Sequence, residues 1–124
     1  MLNLVCPTRY GVNKKSIREG VSQMYESKQI SPKSTLNIVF IGTRKMREIA
    51  KTYKNEDLPL PVLAFPYKDI DTEGEQLLGE IFLCYPMVVL LAAERSKMVD
   101  DMILRLIEHG LNNILQDQST PLKK

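Results

Sequence analysis

The chain has one histidine, His109, in 124 residues. A hydrolytic Ser–His–Asp or Cys–His arrangement would have to be built on His109, and no partner for it stands out. There are two cysteines, Cys6 and Cys84, far apart and in no C-x-x-C pair, so the sequence supplies no cysteine-based zinc site. Each closes an apolar, strand-like run and is expected as a buried free thiol of a reducing compartment. Neither G-x-x-x-x-G-K-[ST] nor G-x-G-x-x-G is present, so no nucleotide cofactor is expected by those routes. No apolar run is long enough for a bilayer, and no membrane partner is expected. Met1 to Val5 lacks the basic region of a signal peptide and reads as a strand, so a cytoplasmic location is expected. The net charge of +2 is too small to argue for nucleic-acid binding, and any such argument must rest on local charge.

What is present is an ordinary globular composition, 44% hydrophobic and 26% charged, of a length that makes one domain. That domain is expected over residues 1–120, with 121–124 a mobile tail. Leu2 to Cys6 reads as a strand interrupted by Pro7, and Tyr10-Gly11 as a turn. From Asn13, a cap residue, the helical spacing of Ile17, Val21, Met24 and Tyr25 predicts a helix. Ser31 to Ser34 breaks the pattern. Leu36 to Ile41 is rich in β-branched residues and predicts a strand. Thr43 is the expected cap of a second helix, whose apolar face is Met46, Ile49, Ala50 and Tyr53. Pro59 and Pro61 exclude helix from the loop that follows.

Val62 to Phe65 predicts a short strand. Asp69 to Glu75 reads as an acidic exposed loop, and Leu77 to Tyr85 as another strand. Pro86 suits the first turn of a helix running to about Lys97. The last helix is expected over roughly Val99 to Leu115, with Val99, Ile103, Leu106, Ile107, Gly110 and Ile114 facing the core. The order strand, helix, strand, helix, strand, strand, helix, helix predicts an α+β fold, one mixed sheet covered by helices.

His109 and Asn113, spaced i, i+4, share one face of that last helix. Two ligands at that spacing, with a third just past the helix end, are how several zinc hydrolases hold their metal. Three stretches resemble the bacterial YbeY family. The first is Tyr53-Lys54-Asn55-Glu56-Asp57-Leu58-Pro59-Leu60-Pro61-Val62-Leu63-Ala64-Phe65-Pro66, against a family pattern near Y-R-G-K-D-x-P-T-D-V-L-S-F-P. Tyr53, Asp57, Pro59, Val62, Leu63, Phe65 and Pro66 match, and Lys54 replaces the family arginine. The second is Leu78-Gly79-Glu80-Ile81, similar to L-G-D-I. The third begins at His109-Gly110, similar to the start of H-G-x-L-H-L-x-G-Y-D-H. Asn113 stands at the second histidine. With one residue deleted, Gln118 stands at the third, beside Asp117 for the family aspartate; without the deletion the third position is Ser119.

The resemblance implies a zincin-like metal hydrolase domain acting as an endoribonuclease in ribosomal RNA maturation and ribosome biogenesis, with ribosomal RNA or a ribosomal subunit as partner. It implies catalytic roles for His109 and for Lys54, which would meet phosphate as a point charge where arginine would offer a fork. It implies zinc on His109, Asn113 and Gln118, with Asp117 as an anionic alternative. Amide oxygens suit harder cations better than zinc. The alternative expectation is a catalytically inactive relative that binds RNA or the ribosome. In it His109 packs between helix and sheet, Asn113 and Gln118 satisfy one another, and Lys54 is a solvated loop lysine. Lys14, Lys15, Arg18, Arg44, Lys45 and Arg47 would add a positive field if they share a face.

Overall fold

Strand alternation assigns each apolar residue to one of two layers, and the computed structural model, which describes residues 1–67 and 77–116, shows both layers filled. The described elements are β1 (Leu2–Val5), a 3-10 turn (Thr8–Tyr10), α1 (Lys14–Ser27), β2 (Thr35–Ile41), α2 (Thr43–Lys54), β3 (Val62–Pro66), β4 (Leu77–Cys84), α3 (Tyr85–Glu94) and α4 (Val99–Gln116). This is the order read from the sequence. The expected loop at Asp69 to Glu75, the domain end at 120 and the tail at 121–124 lie outside the described residues.

The sheet runs β1-β2-β4-β3. β1, β2 and β4 are parallel, and β3 pairs antiparallel with β4 from Val62↔Leu83 to Pro66↔Gly79. The fold is therefore α+β with a mixed sheet. Leu36, Ile38, Phe40, Ile81 and Leu83 point to one face, where α1 and α4 cover them. Leu63, Phe65, Phe82 and Cys84 point to the other, under Met46 and Ala50 of α2. α1 buries Ile17, Val21, Met24 and Tyr25, the four positions its spacing nominated, and Asn13 Oδ1 accepts from the Ser16 amide as its cap.

Several boundaries move. β1 ends at Val5, and β4 ends at Cys84 because Tyr85 already begins α3, with Pro86 in its first turn. α2 is capped by Gly42, not Thr43, and Met46 N donates to Gly42 O at 3.1 Å. Thr43 is thus the first helical residue, where its hydroxyl is not placed to cap. α3 stops at Glu94, short of Lys97. Ser96 adopts φ 53°, Lys97 N donates to Ala92 O at 2.8 Å and Ser96 N to Ala93 O at 3.2 Å. That is a Schellman closure with serine where glycine is usual. α1 closes the same way through Gln29, with Ile30 N donating to Tyr25 O.

The core face of α4 is wider than expected. Met102 and Leu111 are buried alongside Ile103, Ile107, Gly110 and Ile114, whereas Val99 and Leu106 are only partly buried. A helix that packs on a sheet and on two other helices needs a broader apolar stripe than one that meets a single surface. Of the two thiols, Cys84 is buried as expected, while Cys6 is half-buried, because β1 is the edge of the sheet.

Candidate functional site

α4 lies close against β3 and β4. A Cβ on Gly110 would stand 3.1 Å from Ile81 Cδ1 and 3.4 Å from Ala64 Cβ. This approach fixes the rotation of the helix. It puts Gly110 and Leu111 on the packed side and leaves His109 and Asn113 on the exposed side of the helix. The reading in which His109 packs between helix and sheet is therefore corrected: Gly110 occupies that place.

His109 and Asn113 do meet. Asn113 Nδ2 lies 3.3 Å from His109 Nε2. With the ring proton on Nδ1, the amide donates to the Nε2 lone pair, the pair that a metal on this nitrogen would need. Asn113 thus bonds His109, where the alternative reading paired it with Gln118. Asp117, Gln118 and Ser119 lie outside the described residues. Among the described residues no group of three His, Cys, Asp or Glu side chains lies together as a metal would require. One imidazole whose facing nitrogen is engaged by an amide does not fit zinc, which takes three good nitrogen, sulfur or carboxylate ligands and an open position.

Lys54 is the last residue of α2, half-buried, with Asn55 closing the helix at φ 56°. Its side chain makes no hydrogen bond or ion pair to another described residue. It ends a helix on the sheet face opposite α4, and no described contact joins it to His109 or Asn113. The segment after it is anchored by rings. Tyr53 meets Phe65 edge-on at 5.1 Å, and Phe65 meets Phe82 at 5.9 Å. Asp57, one of the matching residues, pairs with Arg47 at 3.5 Å, both exposed.

A polar row that no motif announces lies on the α2 side of the sheet. Asn3 Nδ2 donates to Asn37 Oδ1 at 2.9 Å, and Tyr67 Oη donates to Glu80 Oε1 at 3.2 Å. Burial pushes the pKa of the Tyr67 phenol up, with Asn37 opposing and Glu80 adding to the shift. Asn3, Asn37 and Glu80 are register partners on β1, β2 and β4. The available signal was the parallel L-N-L-V and L-N-I-V runs, each with asparagine inside a strand. Glu80 belongs to the L-G-E-I stretch, so one letter of that resemblance has a structural role here.

Among the described residues no helix is long and apolar enough to cross a membrane. The family model described as Endoribonuclease YbeY matches residues 8–115. Proteins named Endoribonuclease YbeY are similar to the chain in several bacteria. The Thermodesulfovibrio yellowstonii protein is 28% identical over 108 residues, 80% of this chain and 68% of that protein. The Stutzerimonas stutzeri protein is 33% identical over 90 residues, 71% of this chain and 56% of that protein. The Cellvibrio japonicus protein is 30% identical over 100 residues, 80% of this chain and 55% of that protein. The chain thus spans between about half and two thirds of these curated relatives. A Thermotoga maritima protein solved in solution shares the fold with a TM-score of 0.59, at 22% identity over 90% of this chain and 69% of its own.

Proposed function

The chain belongs to the YbeY family, and on that premise we propose that it acts on RNA, as an endoribonuclease of ribosomal RNA maturation in the cytoplasm. The observation that carries this is the family match across residues 8–115, with relatives named endoribonucleases. The domain responsible is assigned to residues 1–120. His109 is its only imidazole, the side-chain type best suited to moving a proton at neutral pH, and it is exposed to a substrate. Lys54 is assigned to a phosphate of the RNA as a point charge. No step is routed through zinc, because His109 and Asn113 do not fit that ion.

One observation favours a second reading, a catalytically inactive member that binds RNA or a ribosomal subunit. Asn113 stands at the second ligand position and holds His109 by a hydrogen bond. The two readings separate in one experiment. A structured ribosomal RNA precursor is incubated with the chain, with and without a chelator, and both cleavage and binding are followed. Cleavage lost in His109→Ala supports the endoribonuclease. Binding without cleavage supports the inactive member. Neither binding nor cleavage overturns both.

A further inference from the structure

Charge in this molecule is concentrated on one helix. α2 carries Arg44, Lys45, Arg47, Lys51 and Lys54 against one carboxylate, Glu48, in a chain whose total is only +2. Outside α2 the chain is therefore net negative. Arg44, Arg47, Lys51 and Lys54 recur at i, i+3, i+7 and i+10, which places them in one row along the helix, spanning about 15 Å. The row runs along one flank of α2, about 100° around the helix from the side that Met46 and Ala50 hold against the sheet; Arg44, Arg47 and Lys51 are exposed and Lys54 is half-buried. Thr43, Arg44, Arg47 and Lys51 line a surface depression with Pro59, Glu48 and Asp57. Asp57 offsets Arg47 through an exposed pair, which is weak. Arg44, Lys51 and Lys54 make no ion pair with a described residue.

We propose that this exposed flank of α2 is a backbone-binding surface for single-stranded RNA, the row of cations following successive phosphates. This rests on the reading that the protein acts on RNA. A row of cations that tracks the backbone is the electrostatic part of what single-stranded nucleic acid requires. Lys54, the residue already assigned to phosphate, stands at one end of the row.

The test is anisotropy titration of a ~20-nucleotide unstructured RNA between about 50 and 200 mM salt. Arg44→Glu with Lys51→Glu is compared with Lys14→Glu with Lys15→Glu, an equal charge change at exposed positions of α1. The α2 pair is expected to weaken binding at least ~10-fold and to flatten the log–log salt slope by about 1.4, while the α1 pair stays within about twofold. Should the reversal variant misfold by circular dichroism, Arg44→Gln with Lys51→Gln reads the same slope. An α2 variant that binds like the wild type overturns this surface and leaves the RNA reading standing. Equal losses in the α1 and α2 variants overturn it too, as does polyglutamate bound as tightly as RNA. A wild-type chain that binds no RNA at all removes both.

Discussion

His109 and Gly110 are adjacent in sequence and answer to different constraints. Gly110 presses on Ile81 and Ala64, and Gly79 on β4 is confined still more tightly. His109 and Asn113 face outward and touch chiefly each other. Both sets of residues fall in stretches that resemble the family. The glycines are held by backbone geometry that this fold cannot give up. The outward pair is not held by packing, so its chemistry is free to drift while the fold persists. A family fold is thus stronger support for architecture here than for a metal site.

The largest expected effect sharpens the packed side. A Cβ at Gly79 would stand 2.4 Å from Phe65 O and 2.9 Å from Ile114 Cδ1. The first contact is with the backbone of the paired strand, which moves only if the β3–β4 ladder opens. Gly79→Ala should cost about 3 kcal/mol, the upper part of the range for overpacking. Urea unfolding would show this as a lower midpoint. A midpoint within experimental error of the wild type would mean that β3 and β4 are not locked at this pair.

Next in size is a pH effect from the same layer. Tyr25 is buried, its Oη donates to Ser34 O at 2.9 Å, and desolvation pushes its pKa up to about 12. The folded state therefore keeps a proton that the unfolded chain releases above about pH 10. This contribution is complete below pH 10 and is lost as pH rises through 12, a difference of roughly 2–3 kcal/mol at most. Unfolding curves between those pH values should steepen in their pH dependence for the wild type and not for Tyr25→Phe. Equal slopes in the two proteins would assign alkaline instability to other groups.

The sequence made legible what regular periodicity controls. The spacing of Ile17, Val21, Met24 and Tyr25 puts them on one face, and they are buried together. The helix ends were harder. Gln29 and Ser96 occupy left-handed positions that usually announce themselves with glycine, so α1 and α3 ended without a signal. Met102 and Leu111 escaped because a single-face template cannot show that α4 meets several neighbours. At the site, sequence spacing brought His109 and Asn113 together correctly. It could not show that Asn113 would turn its amide to the ring nitrogen, nor that Lys54 would end a helix across the sheet from α4.

Gly110→Ala is the intermediate case, where two terms nearly cancel. Alanine gains about 0.8–1 kcal/mol of helix propensity over glycine. Against this stands a contact at 3.1 Å with Ile81 Cδ1, the far end of a side chain that can yield by a few tenths of an ångström. The net destabilisation should be under about 1 kcal/mol, well below that of Gly79→Ala. Thermal unfolding of the two variants side by side checks the order. A reversal would mean that α4, rather than the strand pair, sets the tolerance of this junction.

The smallest stability effect belongs to the outward pair, and that is where the comparison is decided. His109 is exposed and its one described polar contact is the 3.3 Å bond to Asn113. His109→Ala should change stability by no more than about 0.5 kcal/mol, as surface substitutions usually do. A larger loss would show His109 to be structural and would break the contrast with Gly110. Metal uptake adds a gain-of-function test. The wild type should carry no stoichiometric zinc, since an amide is a poor ligand for it. Asn113→His places a second imidazole one turn from the first on an exposed face, and with Gln118→His should bind zinc measurably by elemental analysis. Zinc at one ion per wild-type chain, lost in His109→Ala, would mean that residues beyond the described ones complete a site, and drift at this helix would not have cost the metal. Failure of the double variant to take up zinc would mean that the scaffold no longer brings the third position to the helix, and that the loss goes beyond the exchange of ligands.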